Sequence, residues 1–322
     1  MGDLPTLKDL DISNKKVLVR VDLDVDLNDK HKDYRLEVLT PTLNYLKEKS
    51  AKIILMGHKG RPGGKVVDSL STKPFEKYFS KWNVQVLENL RFDPRERKND
   101  SEFAKELASK ADVFVNEAFA TAHREHASIV GVPKILPSAF GLHFEKEVEN
   151  LSKISKDPDR PLLYIISGIK KDKVEMIKKL ESKADKILVG GRLPDYMGDN
   201  TKSVRSFGKD EKIIIGNLVM DKEDITVNTI EIFKSEIKKA KTIVLAGVLG
   251  KYEDEGHRQG TKAIFEAVSV SSAFRVVGGG DSLTAIQMFG LIDKFDWVSV
   301  GGGAMIEFLI SGTLPAIEAL KS

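Results

Sequence analysis

Short apolar runs alternate with amphipathic stretches along the chain from one end to the other. In the first half, the runs Lys16–Val21, Lys52–Met56 and Asp112–Val115 predict strands, and Glu37–Lys49, Pro74–Phe79 and Ser101–Ser109 predict helices. In the second half, strands are predicted at Leu162–Ile166, Lys186–Val189, Thr242–Ala246, Phe274–Val277 and Trp297–Val300. Helices are expected at Val174–Glu181, Thr229–Lys238, Thr261–Ala267, Ser282–Phe289 and Ala304–Ile310. Strands separated by helices imply an α/β fold with parallel sheets covered on both faces. Between the halves, Phe144–Lys156 reads as one amphipathic helix, stopped by Asp157-Pro158-Asp159-Arg160-Pro161, and the domain boundary is expected inside it. Asp199–Asp224 is polar and poorly periodic.

Composition narrows the picture. At 322 residues there is room for two domains, each with its own core. A formal net charge of +3 argues against a dedicated nucleic-acid surface, although local basic clusters can still hold an anionic ligand. Cysteine is absent, which excludes disulfides, thiolate metal sites and a cysteine nucleophile. No apolar run approaches the roughly 18 residues of a membrane span. Met1-Gly2-Asp3-Leu4-Pro5 lacks the basic-then-apolar pattern of a signal peptide and fits a myristoylation site poorly. A cytoplasmic protein with no membrane partner is the expectation.

Two glycine triplets carry the strongest chemical signal. Gly278-Gly279-Gly280-Asp281 and Gly301-Gly302-Gly303 each join a predicted strand to a predicted helix. Glycine lets backbone amides and the helix dipole come close to an anion, and Asp281 is a natural ligand for the Mg²⁺ that escorts a nucleotide. Neither triplet forms the dinucleotide fingerprint G-x-G-x-x-G, and neither ends in the G-K-[ST] of a Walker loop. Glycines also serve tight packing, so one such turn alone says little.

In the first half, polar groups gather at the carboxyl ends of the strands, where open parallel sheets bind ligands. Arg20-Val21-Asp22-Leu23-Asp24-Val25-Asp26 follows the first strand and Gly57-His58-Lys59-Gly60-Arg61-Pro62 the second. Glu88-Asn89-Leu90-Arg91-Phe92 follows the short run Val84–Leu87, and Asn116–His126 follows the next strand. Arginines at separate strand ends suit bidentate capture of phosphate and carboxylate, though a lone loop arginine is more often simply solvated. His123 and His126, three apart, could form half of a zinc site, but no third ligand is evident.

With these residues assembled, the chain resembles the phosphoglycerate kinases over most of its length. The family motifs RVDFNVP, SHLGRP, ENVRF and NDAFGTAHRAHAS are matched by Arg20–Asp26, Gly57–Pro62, Glu88–Phe92 and Asn116–Ser128. IGGGDT and STGGGAS are echoed at Val277–Ser282 and Ser299–Met305. The resemblance implies two doubly wound, Rossmann-like domains facing a cleft and joined by a hinge helix. It implies a phosphoglycerate-binding domain over 1–150, a reduced nucleotide domain over 151–315, and a tail, 316–322, that returns to the first. The implied reaction is reversible, Mg²⁺-dependent phosphoryl transfer between ATP and the carboxylate of 3-phosphoglycerate, by a cytoplasmic monomer without nucleic-acid or membrane partners.

Carried over by position, the resemblance gives phosphoglycerate to Asp22, Asp24, Arg35, His58, Arg61, Arg91 and Arg124. Arg35, Lys170, Lys173, Gly302 and Gly303 would meet the migrating phosphoryl group. Gly168, Lys173, Gly190, Gly191, Gly247, Glu253, Gly280, Asp281 and Ser282 would hold ATP or ADP, with Asp281 on the metal.

The departures cluster in the nucleotide half. GGAKVSDK becomes the shorter Ser167–Lys173, in which Lys171 also competes for the lysine role. GGGMA becomes Gly190-Gly191-Arg192-Leu193-Pro194, and WNGPMGVFE becomes Leu245–Glu253, with Ala246 replacing Asn. A long segment between these motifs is missing, which would account for the short chain. In the first half Asp24 stands where the family has Asn, Asp26 where it has Pro, and Ala120 where it has Gly. Two further readings therefore stay open. One is a phosphoglycerate-binding or regulatory homologue without catalysis. The other is a kinase using a different phosphoryl donor or acid.

Overall fold

The alternation of apolar runs and amphipathic stretches resolves into two parallel sheets. The computed structural model describes residues 4–27, 33–171, 173–197, 205–207 and 212–321. The chain divides into two units, Met1–Glu149 with Thr313–Ser322, and Asn150–Gly312.

The first unit contains β1 (Lys16–Arg20), β2 (Lys52–Met56), β3 (Gln85–Val86), β4 (Val113–Asn116) and β5 (Ser138–Phe140), in the sheet order β3-β2-β1-β4-β5. Its helices are α1 (Tyr34–Glu37), α2 (Thr40–Glu48), α3 (Phe75–Tyr78), α4 (Ser101–Ala108) and the start of α5 (Leu142–Lys156). Both faces of β1 are covered. Val17 and Val19 pack with Leu43, Leu46 and Phe79, while Leu18 packs with Phe103, Leu107 and Phe114.

The single helix expected over Glu37–Lys49 is broken into α1 and α2. Pro41, in the first turn of α2, cannot donate a backbone hydrogen bond, and its ring would clash with the carbonyl four residues earlier. The start of α5 is held by the buried carboxylate of Glu117. It accepts from the amides of His143 (3.0 Å) and Phe144 (2.9 Å) and from the Thr42 hydroxyl (2.5 Å).

The second unit begins within α5. Its strands are β6 (Leu162–Ile166), β7 (Lys186–Val189), β8 (Arg205–Phe207), β9 (Ile213–Ile215), β10 (Thr242–Ala246), β11 (Phe274–Gly278) and β12 (Trp297–Ser299). They lie in the order β12-β11-β10-β6-β7-β9-β8, and among the described residues only β8 is antiparallel to its neighbour. Its helices are α6 (Lys173–Leu180), α7 (Leu193–Tyr196), α8 (Val227–Ile237), α9 (Gln259–Ser269), α10 (Gly280–Met288) and α11 (Gly302–Ser311). All five residues of β6 are buried, as a strand covered on both faces requires.

β9 lies inside the segment that looked polar and aperiodic. Its three isoleucines are buried beside β7, and such a run is too short to show a period. Residues 199–204 and 208–211 of that segment lie outside the described residues. The final helix, α12 (Pro315–Lys321), belongs to the first unit, where the Ala316 amide donates to the Ala122 carbonyl at 3.0 Å. Among the described residues no single helix is long and apolar enough to cross a membrane.

Candidate active site

In the first unit, the register sets Arg20 level with Met56 on one side and Asn116 on the other. The loops after β1, β2 and β4 therefore leave the sheet side by side at its carboxyl edge. Arg20, the last residue of β1, is completely buried. Its Nε donates to Ser128 Oγ at 3.0 Å, one Nη to the Val21 carbonyl, and the other Nη to His58 Nδ1 at 3.2 Å. Ser128 in turn donates to Glu96 from its hydroxyl (2.6 Å) and its amide (3.0 Å). Burial pushes the Glu96 carboxyl up, and Arg20 opposes that shift.

Beside this network lies a pocket of about 340 Å³ lined by Arg61, Gly63, Arg91, Arg97, Arg124 and His126. The Arg91 side chain donates to the Gly60 carbonyl at 2.8 Å, yet its buried Nε has no partner. Burial, then Arg124 and Arg20, lower Arg91 to about 10. Burial also holds the histidines neutral, with the arginines adding to it. His126 is lowered to about 3, His123 to about 4, and His58 falls far below the usual imidazole range. Four guanidinium groups around one cavity, one with an unpaired donor, make a site for a compact polyanion.

The remaining candidates of this unit stand around that pocket. Asp22 is buried and accepts the Asp24 amide at 3.0 Å. Asp24 Oδ1 accepts the Gly60 amide at 2.7 Å, and its Oδ2 lies 3.7 Å from His58 Nε2. Arg35 is gripped by Asp33 (3.0 and 2.7 Å) and donates to the Asp24 carbonyl at 2.8 Å. Arg61, Arg91 and Arg124 thus line the cavity, whereas Asp22, Asp24, Arg35 and His58 do not.

In the second unit, Ile166, Val189, Ala246 and Gly278 end level at the carboxyl edge of neighbouring strands. Gly168, Gly191, Gly247 and Gly279 follow them. A pocket of about 520 Å³ opens there, lined by Gly168 and Ile169, Gly191 and Arg192, Lys222 and Glu223, the segment from Val248 to Glu253, and Asp281. Gly247 has φ +110°, and a Cβ on it would run into the Ser167 carbonyl. Its amide donates to the buried Ser282 hydroxyl at 2.9 Å, so Ser282 fixes the loop.

Gly279 and Gly301 stand at the caps of α10 and α11 and offer no side-chain cap, which leaves first-turn amides for an anion. A Cβ on Gly302 would stand 2.7 Å from the Gly279 Cα, so the two helix starts meet at backbone contact. Gly280, Gly303 and the exposed Asp281 lie in these first turns. Lys173 Nζ donates to the carbonyls of Ser167 and Ala246 (3.3 Å to the latter), at the ends of β6 and β10. Lys170 and Lys171 are exposed, as is Glu253 at the pocket wall. Gly190 packs against Leu249.

Several residues of these sites escaped the reading of the sequence. Arg97, Glu96 and Ser128 come from short turns distant in sequence, and no local spacing links them to Arg20. His126 stood only as half of a metal pair, and among the described residues no cluster of three metal-binding side chains occurs. Lys222 and Glu223 lie in the stretch read as polar and poorly periodic.

Comparison with known proteins adds the following. A family model described as phosphoglycerate kinase matches residues 7–85, 76–202 and 196–312. The phosphoglycerate kinase of Dictyoglomus turgidum is 36% identical over 386 aligned positions, covering 98% of each chain. That of Pseudothermotoga lettingae is 34% identical over 388 positions with the same coverage. Both alignments exceed the 322 residues present here, so these relatives carry segments that this chain lacks. The match to the family model breaks at 76–85 as well as at 196–202, and the first break was not anticipated. Among solved structures, phosphoglycerate kinase from Pyrococcus horikoshii superposes with TM-score 0.84 at 27% identity, covering 99% of this chain and 98% of that one. The enzyme from Coxiella burnetii gives 0.80 at 29% identity, covering 99% of both.

Proposed function

The chain belongs to the phosphoglycerate kinase family of phosphotransferases, and from that premise we propose that it moves a phosphoryl group reversibly between ATP and the carboxylate of 3-phosphoglycerate. The observation that carries this reading is the pocket of the first unit, lined by Arg61, Arg91, Arg97 and Arg124 and, among the described residues, by no carboxylate. Such a set of donors calls for an anion with several acceptor oxygens, and a phosphate meets the need.

The first unit would hold the acid and the second the nucleotide. Arg61, Arg91 and Arg124 take the phosphate of 3-phosphoglycerate, and the Arg20–His58–Asp24 chain keeps the loops after β1 and β2 in place. In the second unit the amides at the starts of α10 and α11, with Lys173, face the nucleotide phosphates. Asp281 is a hard oxygen donor at the mouth of that pocket and fits Mg²⁺, which when bound offsets charge on the phosphate oxygens.

The acceptor carboxylate is already ionised, so no proton need leave it and no general base is required. Its oxygen forms a bond to the terminal phosphorus while the bond to the bridging oxygen breaks, which yields an acyl phosphate and ADP. What the protein supplies is position and neutralised charge. The proposal extends, by family likeness, to a cytoplasmic monomer that meets only small molecules, and the nearly balanced charge speaks against a nucleic-acid partner. Titrating 3-phosphoglycerate into the wild-type protein and Arg124→Ala tests the reading. Saturable binding is expected in the first and its loss in the second. No binding by the folded wild type would contradict it.

A further inference from the structure

The second-unit pocket has a charged end that a phosphate cradle does not explain. It spans the ends of four adjacent strands, from Asp281 after β11, past Val248 after β10 and Gly168 after β6, to Arg192 after β7. Three strand spacings amount to about 14 Å. That is the reach of an extended nucleoside triphosphate from its terminal phosphate to its base. With the phosphates at the starts of α10 and α11, the base falls beside Arg192.

What Arg192 offers there is its Nη groups, since its Nε is enclosed by protein. Its Nη atoms make only long contacts, 3.3 Å to Glu223 Oε1 and 3.5 Å to Asp195 Oδ2. Its backbone is fixed, since its amide donates to the Gly168 carbonyl at 2.9 Å. Glu223 is also anchored, its carbonyl accepting the Lys251 amide at 2.8 Å. The pocket keeps its volume of about 520 Å³ with Arg192 in place, within the range of ligand sites, so the side chain shapes the pocket without filling it.

A guanidinium beside a carboxylate matches one purine better than the other. Guanine offers the acceptors O6 and N7 to arginine and the donors N1–H and N2–H₂ to a carboxylate. Adenine carries an N6–H₂ donor where guanine has O6, and that group would face the arginine donors unpaired. We propose that Arg192 and Glu223 form a base reader that favours guanine over adenine nucleotides in this pocket. The inference rests on the kinase reading above for the identity of the site, and it makes GTP the better phosphoryl donor.

Calorimetric titration of GDP, IDP and ADP, each with Mg²⁺, tests it without relying on turnover. Binding of GDP about tenfold tighter than ADP is expected, with IDP between them because it keeps O6 but lacks the N2 amine. Arg192→Ala should bring GDP and ADP level. Arg192→Lys, which keeps the charge and loses the planar fork, should lose most of the preference. Glu223→Gln should weaken GDP more than IDP. ADP binding as tight as GDP in the wild type, or a GDP preference that survives Arg192→Ala, would overturn the proposal. Tight, selective GDP binding with no phosphoryl transfer to 3-phosphoglycerate would uphold the base reader and count against the kinase reading instead.

Discussion

Arg20 donates to Nδ1 of His58 at 3.2 Å, and that contact decides the state of the imidazole. Arginine can only donate, so Nδ1 accepts and the single ring proton sits on Nε2, facing Asp24. Burial and three surrounding arginines hold His58 neutral far below the usual imidazole range. The consequence is a sign for the pH dependence of stability. Above about pH 6.5 neither folded nor unfolded His58 carries the extra proton. Below it, the unfolded chain takes up a proton that the folded site refuses, so stability falls as the pH falls. The slope from His58 alone approaches about 1.4 kcal/mol per pH unit. Urea unfolding between about pH 7.5 and pH 5 should show this loss, and His58→Gln should make it shallower, leaving the contributions of His123 and His126, which burial also holds neutral. Equal slopes in both proteins would remove His58 from the account.

Arg91 should separate binding from stability. Its Nε is buried and unpaired, which costs stability in the absence of ligand. Arg91→Met is expected to leave the melting temperature unchanged or higher, while 3-phosphoglycerate binding weakens about a hundredfold, the loss of one buried charge-assisted contact. Thermal melts and calorimetry on the same sample read both quantities. A destabilised variant with normal affinity would make Arg91 a structural residue.

Asp24 can be neutralised without losing its contact. An Asn side-chain oxygen can still accept the Gly60 amide that Asp24 now accepts at 2.7 Å. Removing one negative charge near the arginine pocket lowers repulsion on an anionic ligand by about 1 kcal/mol. Asp24→Asn should therefore bind 3-phosphoglycerate as well as the wild type or several-fold more tightly. A large loss of affinity would show that the carboxylate is needed as such.

The backbone contact at the two glycine triplets predicts a variant confined to the second unit. A methyl group on Gly302 would stand 2.7 Å from the Gly279 Cα and force the starts of α10 and α11 apart. Gly302→Ala should cost about 1–3 kcal/mol and weaken nucleotide binding, while 3-phosphoglycerate binding stays intact. Unaltered nucleotide affinity would place the phosphates elsewhere.

Much of this architecture is legible in the sequence because continuous apolar runs mark strands buried on both faces. β2, β6 and β10 occupy the expected residues, and the glycines and arginines follow them directly. What escaped lies where local pattern carries little. β9 is three isoleucines in a polar setting, and β5 is the short run Ser138–Phe140. The Arg20–Ser128–Glu96 network joins residues up to 108 positions apart, which only the parallel register of the sheet brings together. The pairing of Arg192 with Glu223 had the same cause, since the two are 31 positions apart.

The central claim is phosphoryl transfer to an acid, and isotope transfer reads it directly. The protein would be mixed with Mg²⁺, 3-phosphoglycerate and a γ-labelled nucleoside triphosphate, ATP and GTP in parallel. Label should appear in an acyl phosphate only when 3-phosphoglycerate is present. No label in the acyl phosphate from either nucleotide, with the protein folded and the acid bound, would contradict the account.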